Sequence, residues 1–178
     1  MELSSDQKGG IAELAIALAA ARLDITVSRP MSEGARYDLI FDWHLGLQRV
    51  QCKWARKAGG AVVIRPFSCR RTADGHRVRT YSVDEVDLIA AYCMELDEVW
   101  VIPTADLGQK RHVHLRLEAA KNNQRHGVTL AAKYRLGAIA QLGERLAGSQ
   151  KVGGSSPPGS IARDLRTAGV PSSSGRLR

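Results

Sequence analysis

The sequence predicts an α/β fold in which a mixed central β-sheet is flanked by helices. Three observations support this prediction: an early stretch has apolar residues at helical spacing, several shorter stretches are rich in β-forming residues, and turn residues separate them. With 178 residues, of which 44% are hydrophobic, the chain is long enough for one domain with a real core. It is too short for two ordinary domains.

The first predicted element is a helix. Ser4, Ser5 and Asp6 are candidate N-caps, because their side-chain oxygens can accept from the unpaired N–H groups of a first turn. Apolar residues then recur every three or four positions as far as Leu23. This spacing predicts a helix with one face against the sheet.

Short β-rich stretches follow the helix. Strands are predicted over residues 24–28, 37–43, 47–55 and 61–67, with His44, Leu45 and Gly46 as the turn of a hairpin between the second and third. Residues 57–60 form another predicted turn. Two later strands are predicted over residues 98–102 and 112–117.

A capping box lies between these groups of strands. Ser82 and Glu85 have the spacing of a capping box, in which the side chain of each residue accepts from the backbone N–H of the other. This pattern predicts the start of a helix. The sequence therefore predicts a second helix from Ser82 to about Tyr92.

The C-terminal tail, residues 137–178, has a different character. Residues 137–160 read GAIAQLGERLAGSQKVGGSSPPGS, and synonymous codons for this string can spell the arms of a transfer-RNA gene. On this hypothesis base pairing selected these residues, so we expect residues 1–136 to form the domain and the basic tail to be poorly ordered. The alternative is an ordinary tail with a short helix around residues 138–147 and a linker.

Cysteine usage and hydropathy indicate the cellular compartment in which the protein works. Cys52, Cys69 and Cys93 are widely spaced and form no CxxC pair, which suggests neither a disulfide framework nor a zinc site. Glu13 interrupts the apolar run of the first helix, and no run is long enough to span a membrane. We therefore expect a cytoplasmic protein with no membrane partner.

Charge is unevenly distributed along the chain. The formal net charge is +8, and half of this excess lies in residues 137–178. Residues 49–81 hold nine lysines and arginines against the single acid Asp74, whereas residues 82–98 hold six acids and no lysine or arginine. Such segregation favours a basic surface that attracts phosphates. A solvated charged face without a partner is the alternative.

Four polar residues form a candidate site. Glu13 lies on the first helix, Asp38 on a predicted strand, and Gln51 and Lys53 on the next strand. Alternation puts Gln51 and Lys53 on one face and Cys52 on the other. Asp38, the Gln51 amide oxygen and a backbone carbonyl near Cys52 would suit Mg²⁺, and Lys53 would hold an attacking water. Spacing alone also fits an ordinary hairpin with exposed polar positions.

Several stretches of the chain resemble one family. The sequence is similar to the PD-(D/E)xK endonucleases associated with bacterial group I introns, whose catalytic core is like that of Holliday-junction resolvases and type II restriction enzymes. The similarity covers about residues 5–135 and is carried by residues 8–13 (KGGIAE), 36–40 (RYDLI), 50–53 (VQCK), 81–87 (YSVDEVD) and 121–124 (KNNQ).

The resemblance implies a fold and site roles. It implies a restriction-endonuclease-like core over residues 1–136, in which Glu13, Asp38, Gln51 and Lys53 are catalytic and Asp38 and Gln51 bind the metal. Tyr37 stands where the family's proline would be. Gln51 replaces the usual carboxylate, as it does in the intron-associated branch, and should weaken metal binding.

The activity implied is a Mg²⁺-dependent, site-specific double-strand DNA endonuclease of the homing type, leaving 5′-phosphate and 3′-hydroxyl ends. Cutting both strands implies a homodimer or a higher symmetric oligomer. A junction resolvase with the same chemistry and a DNA-binding protein that has lost catalysis are the alternatives. The expected DNA-binding residues are Lys8, Arg56, Lys57, Arg70, Arg71, Asn122, Asn123 and Gln124.

Overall fold

The first helix, α1 (Ser5–Ala21), begins where the sequence predicts. Ser4 is the N-cap: its side chain accepts from the backbone N–H of Gln7, and the Gln7 side chain accepts from the Ser4 backbone N–H, which completes a capping box. Ala12, Ile16 and Ala20 are buried on one face of the helix.

The computed structural model describes residues 2–32, 34–43, 46–73, 75–108, 110–118 and 129–141, without the side chains of Arg70 and Arg71.

Ten strands follow in the described part of the chain. Eight form one mixed sheet, and β5 and β6 form a separate two-stranded ribbon. The strands are β1 (Thr26–Ser28), β2 (Leu39–Trp43), β3 (Gly46–Ala58), β4 (Ala61–Ile64), β5 (Phe67–Thr72), β6 (Gly75–Thr80), β7 (Leu88–Cys93), β8 (Glu98–Pro103), β9 (Val113–Arg116) and β10 (Thr129–Leu130). Short 3₁₀ turns occupy Thr104–Asp106 and Ala131–Tyr134.

Strand β3 is the centre of the sheet. Its first residues pair antiparallel with β2, its middle residues 50–55 pair parallel with β7, and its last residues pair antiparallel with β4. The antiparallel pair β2–β3 agrees with the predicted hairpin, whose turn residues His44 and Leu45 lie outside the described residues. Beyond β7 lies β8, and beyond β4 lie β9 and β10.

The two faces of β3 pack against different layers. Val50 and Cys52 join the cluster of buried residues that includes Ala12 and Ile16 of α1. Ala55 belongs to the cluster on the opposite face, which contains Tyr81 and the fully buried Trp100. This alternation along one strand fixes which side chains of β3 can reach the candidate site.

The predicted helix from Ser82 to about Tyr92 is wrong. The backbone N–H of Val86 does bond to the carbonyl of Ser82, but the turn stops there and residues 88–93 form the buried strand β7. Asp87 fixes the change of direction, because its carboxylate accepts from the backbone N–H of Arg49 at 2.7 Å and from the Arg49 guanidinium at 2.9 and 3.0 Å. The turn is thereby tied to β3.

The packed chain continues past residue 136. Residues 136–141 are helical, and Leu136 and Ala140 are buried in the cluster that includes α1. The core thus includes the first residues of the segment expected to be poorly ordered; residues 142–178 lie outside the described residues. Within the described ranges, no helix is long and apolar enough to cross a lipid bilayer.

Candidate active site

An open cleft lies between α1 and the segment that leads into β2. It has a volume of about 210 Å³ and is lined by Glu13, Tyr37 and Asp38, together with Arg29 and residues of the following loop. Glu13 reaches the cleft from α1, and Asp38 stands one residue before β2. The structure therefore brings two carboxylates that are 25 positions apart in the sequence to one cleft.

Asp38 is held against β3 by two donors. Its Oδ2 accepts from the backbone N–H of Cys52 at 2.8 Å and from the side-chain amide of Gln51. The Gln51 side chain is only 8% exposed, and its amide nitrogen also lies 3.3 Å from the carbonyl oxygen of Cys52. Three polar groups from the start of β2 and the middle of β3 thus converge at one point.

Both carboxylates have a raised pKa. Burial is the main cause of the raised pKa of Asp38, while the hydrogen bond from Cys52 and the charges of Lys53 and Arg29 act in the opposite direction. Burial also raises the pKa of Glu13, and the negative charge of Asp38 adds to it. A nearby cation stabilises carboxylates that are desolvated and repel one another.

Glu13 has a partner that the sequence did not indicate. Its Oε2 lies 2.8 Å from the guanidinium of Arg29, which is itself largely exposed. This ion pair, rather than a contact with Lys53, fixes Glu13 in the described structure. Arg29 follows β1 directly, so the start of the sheet positions the helix carboxylate.

Lys53 is oriented by an aromatic side chain. Its ammonium donates to the hydroxyl of Tyr81 at 2.8 Å and lies 4.9 Å from the centre of the Tyr81 ring. The guanidinium of Arg36 also lies over this ring, at 4.5 Å. Lys53 is on the face of β3 opposite Cys52, as alternation predicts, yet its charge still acts on Asp38.

The predicted DNA-binding residues are scattered. Lys8 lies in the first turns of α1 and is half-buried, while Arg56 and Lys57 are exposed at the end of β3. Lys57 is six residues beyond Gln51, which is about 20 Å along a strand. The backbone of Arg70 and Arg71 belongs to β5, and Asn122, Asn123 and Gln124 lie outside the described residues.

Sequence reasoning missed the residues that hold the site in place. Arg29, Arg36 and Tyr81 carry no spacing signal of their own. Arg36 and Tyr81 lie within the stretches that carry the family resemblance, and that is the signal that would have identified them.

The polar groups at the site fit a divalent cation. Within the described part of the chain, no cluster of three or more His, Cys, Asp or Glu side chains could hold an ion, so the ligands here must include other oxygens. Rotating the Gln51 amide by 180° puts its oxygen where the nitrogen now contacts Asp38 and Cys52. Asp38 Oδ2, Gln51 Oε1 and the Cys52 carbonyl oxygen would then form an all-oxygen set, which hard cations prefer.

A mixed sheet that brings a carboxylate and an amide together, with a lysine whose charge acts on the carboxylate, is typical of hydrolases that cut phosphodiesters with a divalent metal. The chain matches the model of the PD-(D/E)XK endonuclease family over residues 3–137. It belongs to that family, and is therefore a DNA endonuclease of a class that generally uses divalent metals.

The fold also matches a solved structure. The bacterial homing endonuclease I-Ssp6803I superposes with a TM-score of 0.63 and 24% sequence identity, over 83% of this chain and 99% of that one. The restriction-endonuclease-like fold inferred from the resemblance is thereby confirmed. No curated protein matches the sequence.

Proposed function

We propose that the protein is a Mg²⁺-dependent, site-specific endonuclease of the homing type that cuts both strands of DNA. The convergence of Asp38, Gln51 and the Cys52 carbonyl beside Lys53 is the observation that carries the proposal. The solved structure with a similar fold is described as a homing endonuclease, which supports the same activity here.

Each residue has a role in this proposal. Asp38, Gln51 and the Cys52 carbonyl would hold the cation, which when bound supplies Lewis-acid catalysis to the phosphodiester. Lys53, steered by Tyr81, donates to the attacking water and aligns it with phosphorus. Glu13, anchored by Arg29, orients water on the other side of the cleft. In-line attack leaves a 5′-phosphate and a 3′-hydroxyl.

Oligomerisation follows from the proposed double-strand cut. The described residues of each chain form one candidate site, so cutting two strands of opposite polarity would take at least two chains related by a two-fold axis. A homodimer or a larger symmetric assembly would present two sites to one duplex. Size measurement in solution, with and without DNA, tests this part of the proposal.

Plasmid cleavage tests the catalytic assignment. The wild-type protein should nick and linearise a plasmid that carries the genomic DNA around its own gene, with Mg²⁺ and not with a chelator, and Lys53→Ala should abolish this activity. Lys110→Ala is a matched control, because Lys110 is an exposed lysine on the loop after the first 3₁₀ turn. A Lys53→Ala protein that cuts at the wild-type rate would refute the assignment.

Choice of substrate separates the homing activity from its alternatives. Cleavage of branched DNA without sequence preference would favour a junction resolvase. Salt-sensitive DNA binding without any metal-dependent cleavage would indicate a protein that has lost catalysis. Sequencing the ends produced from the genomic DNA around the protein's own gene would define the cut site and the stagger between the two cuts.

A further inference from the structure

A second, basic cleft lies beside the cleft that contains Glu13 and Asp38, which is called the acidic cleft below. It has a volume of about 350 Å³ and is lined by Gly34, Ser68 and three arginines, Arg36, Arg77 and Arg79. Gly34 lines both clefts, whereas Asp38 lines the acidic one. The segment 34–38 therefore forms a wall between them.

The basic cleft keeps an excess of positive charge. Arg36 and Arg79 share one carboxylate: the Arg36 Nε lies 3.3 Å from Glu85 Oε1, and Arg79 pairs with the same oxygen. Arg77 is exposed on β6. Three guanidiniums against one carboxylate leave two positive charges for an anion.

One donor of this cleft, Arg36, is held in place before any ligand binds. The Arg36 guanidinium donates to Ser68 Oγ at 3.3 Å and to the carbonyl of Thr80 at 3.0 Å, and it stacks on the Tyr81 ring. The ribbon formed by β5 and β6 is thus fastened at its base to the wall. Arginines fixed in this way lose little further freedom on binding, and a guanidinium suits phosphate oxygens.

The two clefts are close enough to contact one DNA duplex. Arg36 is two residues from Asp38, so their Cα atoms are at most about 7 Å apart. Successive phosphates of a strand advance about 3.4 Å along the helix axis. Because the two clefts share the wall 34–38, a phosphate in the basic cleft would belong to the same stretch of duplex as one at Asp38.

We propose that the cleft of Arg36, Arg77 and Arg79 binds a backbone phosphate of double-stranded DNA next to the phosphodiester that is cut. The proposal rests on the proposed function, because it takes Asp38 as the point of cleavage. A contact of this kind sets the position of the duplex and is insensitive to base sequence.

Salt dependence of DNA binding tests the cleft. The probe is a fluorescent mixed-sequence duplex, bound in chelator so that it is not cut. Arg77→Gln should weaken binding several-fold and lower the slope of log K against log salt by about 0.9, the value for one lost phosphate contact. The loss should be the same for duplexes of unrelated sequence. Arg22 is an exposed arginine at the C-terminal end of α1, so Arg22→Gln is the control and should leave the slope unchanged.

A conservative variant guards against misfolding. Arg77→Lys keeps the charge and should retain the wild-type slope, and both variants should unfold at the wild-type temperature because Arg77 is exposed. An unchanged slope in folded Arg77→Gln would overturn the proposed cleft, whatever the plasmid assay shows. A slope difference between the wild type and Arg77→Gln, found together with a wild-type protein that never cuts DNA, would refute the proposed function and leave phosphate binding in place.

Calorimetry with inorganic phosphate distinguishes the two sources of the anion. Wild-type protein without DNA should show no saturable heat. Saturable binding that is lost in Arg77→Gln, combined with an unchanged DNA slope, would assign the cleft to free phosphate and overturn the proposal.

Discussion

The ammonium of Lys53 donates a 2.8 Å hydrogen bond to the hydroxyl of Tyr81, and the guanidinium of Arg36 lies over the ring of the same tyrosine. One side chain therefore touches both the proposed catalytic lysine and the wall of the basic cleft. Tyr81 is 9% exposed, so its ring cannot move without disturbing the core.

Tyr81→Phe should slow cleavage without affecting DNA binding. The change removes the hydroxyl that accepts from Lys53 and keeps the ring under Arg36. A hydrogen bond to a charged group contributes about 1.5–3 kcal/mol, so we expect the single-turnover rate to fall about tenfold. Tyr134→Phe removes a hydroxyl bonded to Asp106, away from the site, and is the control. Equal rates for the two variants would refute a positioning role.

Gln51→Glu should strengthen metal binding. A second carboxylate adds a charged ligand beside Asp38, so the Mg²⁺ concentration for half-maximal cleavage should fall about tenfold. In chelator the same variant should lose about 1–3 kcal/mol of stability, because Asp38 exchanges an amide donor for a like charge. Titrating Mg²⁺ in cleavage and urea-unfolding assays measures both effects.

Gln48→Glu is the matched control for this prediction, since Gln48 lies three residues earlier on β3. If both glutamates shift the Mg²⁺ requirement equally, net charge rather than ligation explains the result. If Gln51→Glu needs more Mg²⁺ than the wild type, the proposed ligand set is wrong.

The pH dependence of stability should reveal Asp38. Its pKa in the folded protein is raised above the ordinary value of 3.8, chiefly by burial. The folded state therefore holds this proton after the unfolded chain has lost it, and stability falls as pH rises from about 4 through the folded pKa. In chelator, wild type should lose stability relative to Asp38→Asn across this window.

Adding Mg²⁺ should reduce that difference at neutral pH, because a cation offsets the desolvated charge. Urea unfolding of the two proteins at a series of pH values gives the comparison, and their difference cancels the carboxyl groups that do not interact with Asp38. Parallel profiles for the two proteins would contradict the raised pKa of Asp38.

Truncation should locate the end of the folded domain. Ala140 is buried, and Ile139 packs against the cluster that includes α1. A chain ending after residue 141 should keep wild-type stability and cleavage, whereas one ending after residue 136 should lose about 1–3 kcal/mol through the exposed apolar surface. Thermal unfolding and plasmid cleavage check both chains. Equal stability would place the boundary at 136.

The sequence predicted the elements whose signals are local. The helix α1 has a capping box at Ser4 and regular apolar spacing, and the hairpin β2–β3 has alternating residues on either side of a short turn. The four candidate site residues lie on or beside these elements, which is why their placement could be anticipated.

Elements that depend on distant contacts were not predictable. Residues 88–93 are all buried because β7 lies between β3 and β8, and an apolar run of this kind fits a helix or a central strand equally well. Only the pairing with β3 decides the outcome. The partners Arg29 and Tyr81 likewise reach the site through pairings and crossovers that spacing does not encode.

The ribbon of β5 and β6 has an evolutionary consequence that follows from its position. It lies in the connection between the parallel strands β3 and β7, and its strands pair with each other rather than with the sheet. Surface connections of this kind can change length and composition at small energetic cost. Mutations in the ribbon can therefore change the proposed phosphate contact while the sheet and its buried polar groups stay as they are, so the strength of DNA binding can vary without any change to the catalytic residues.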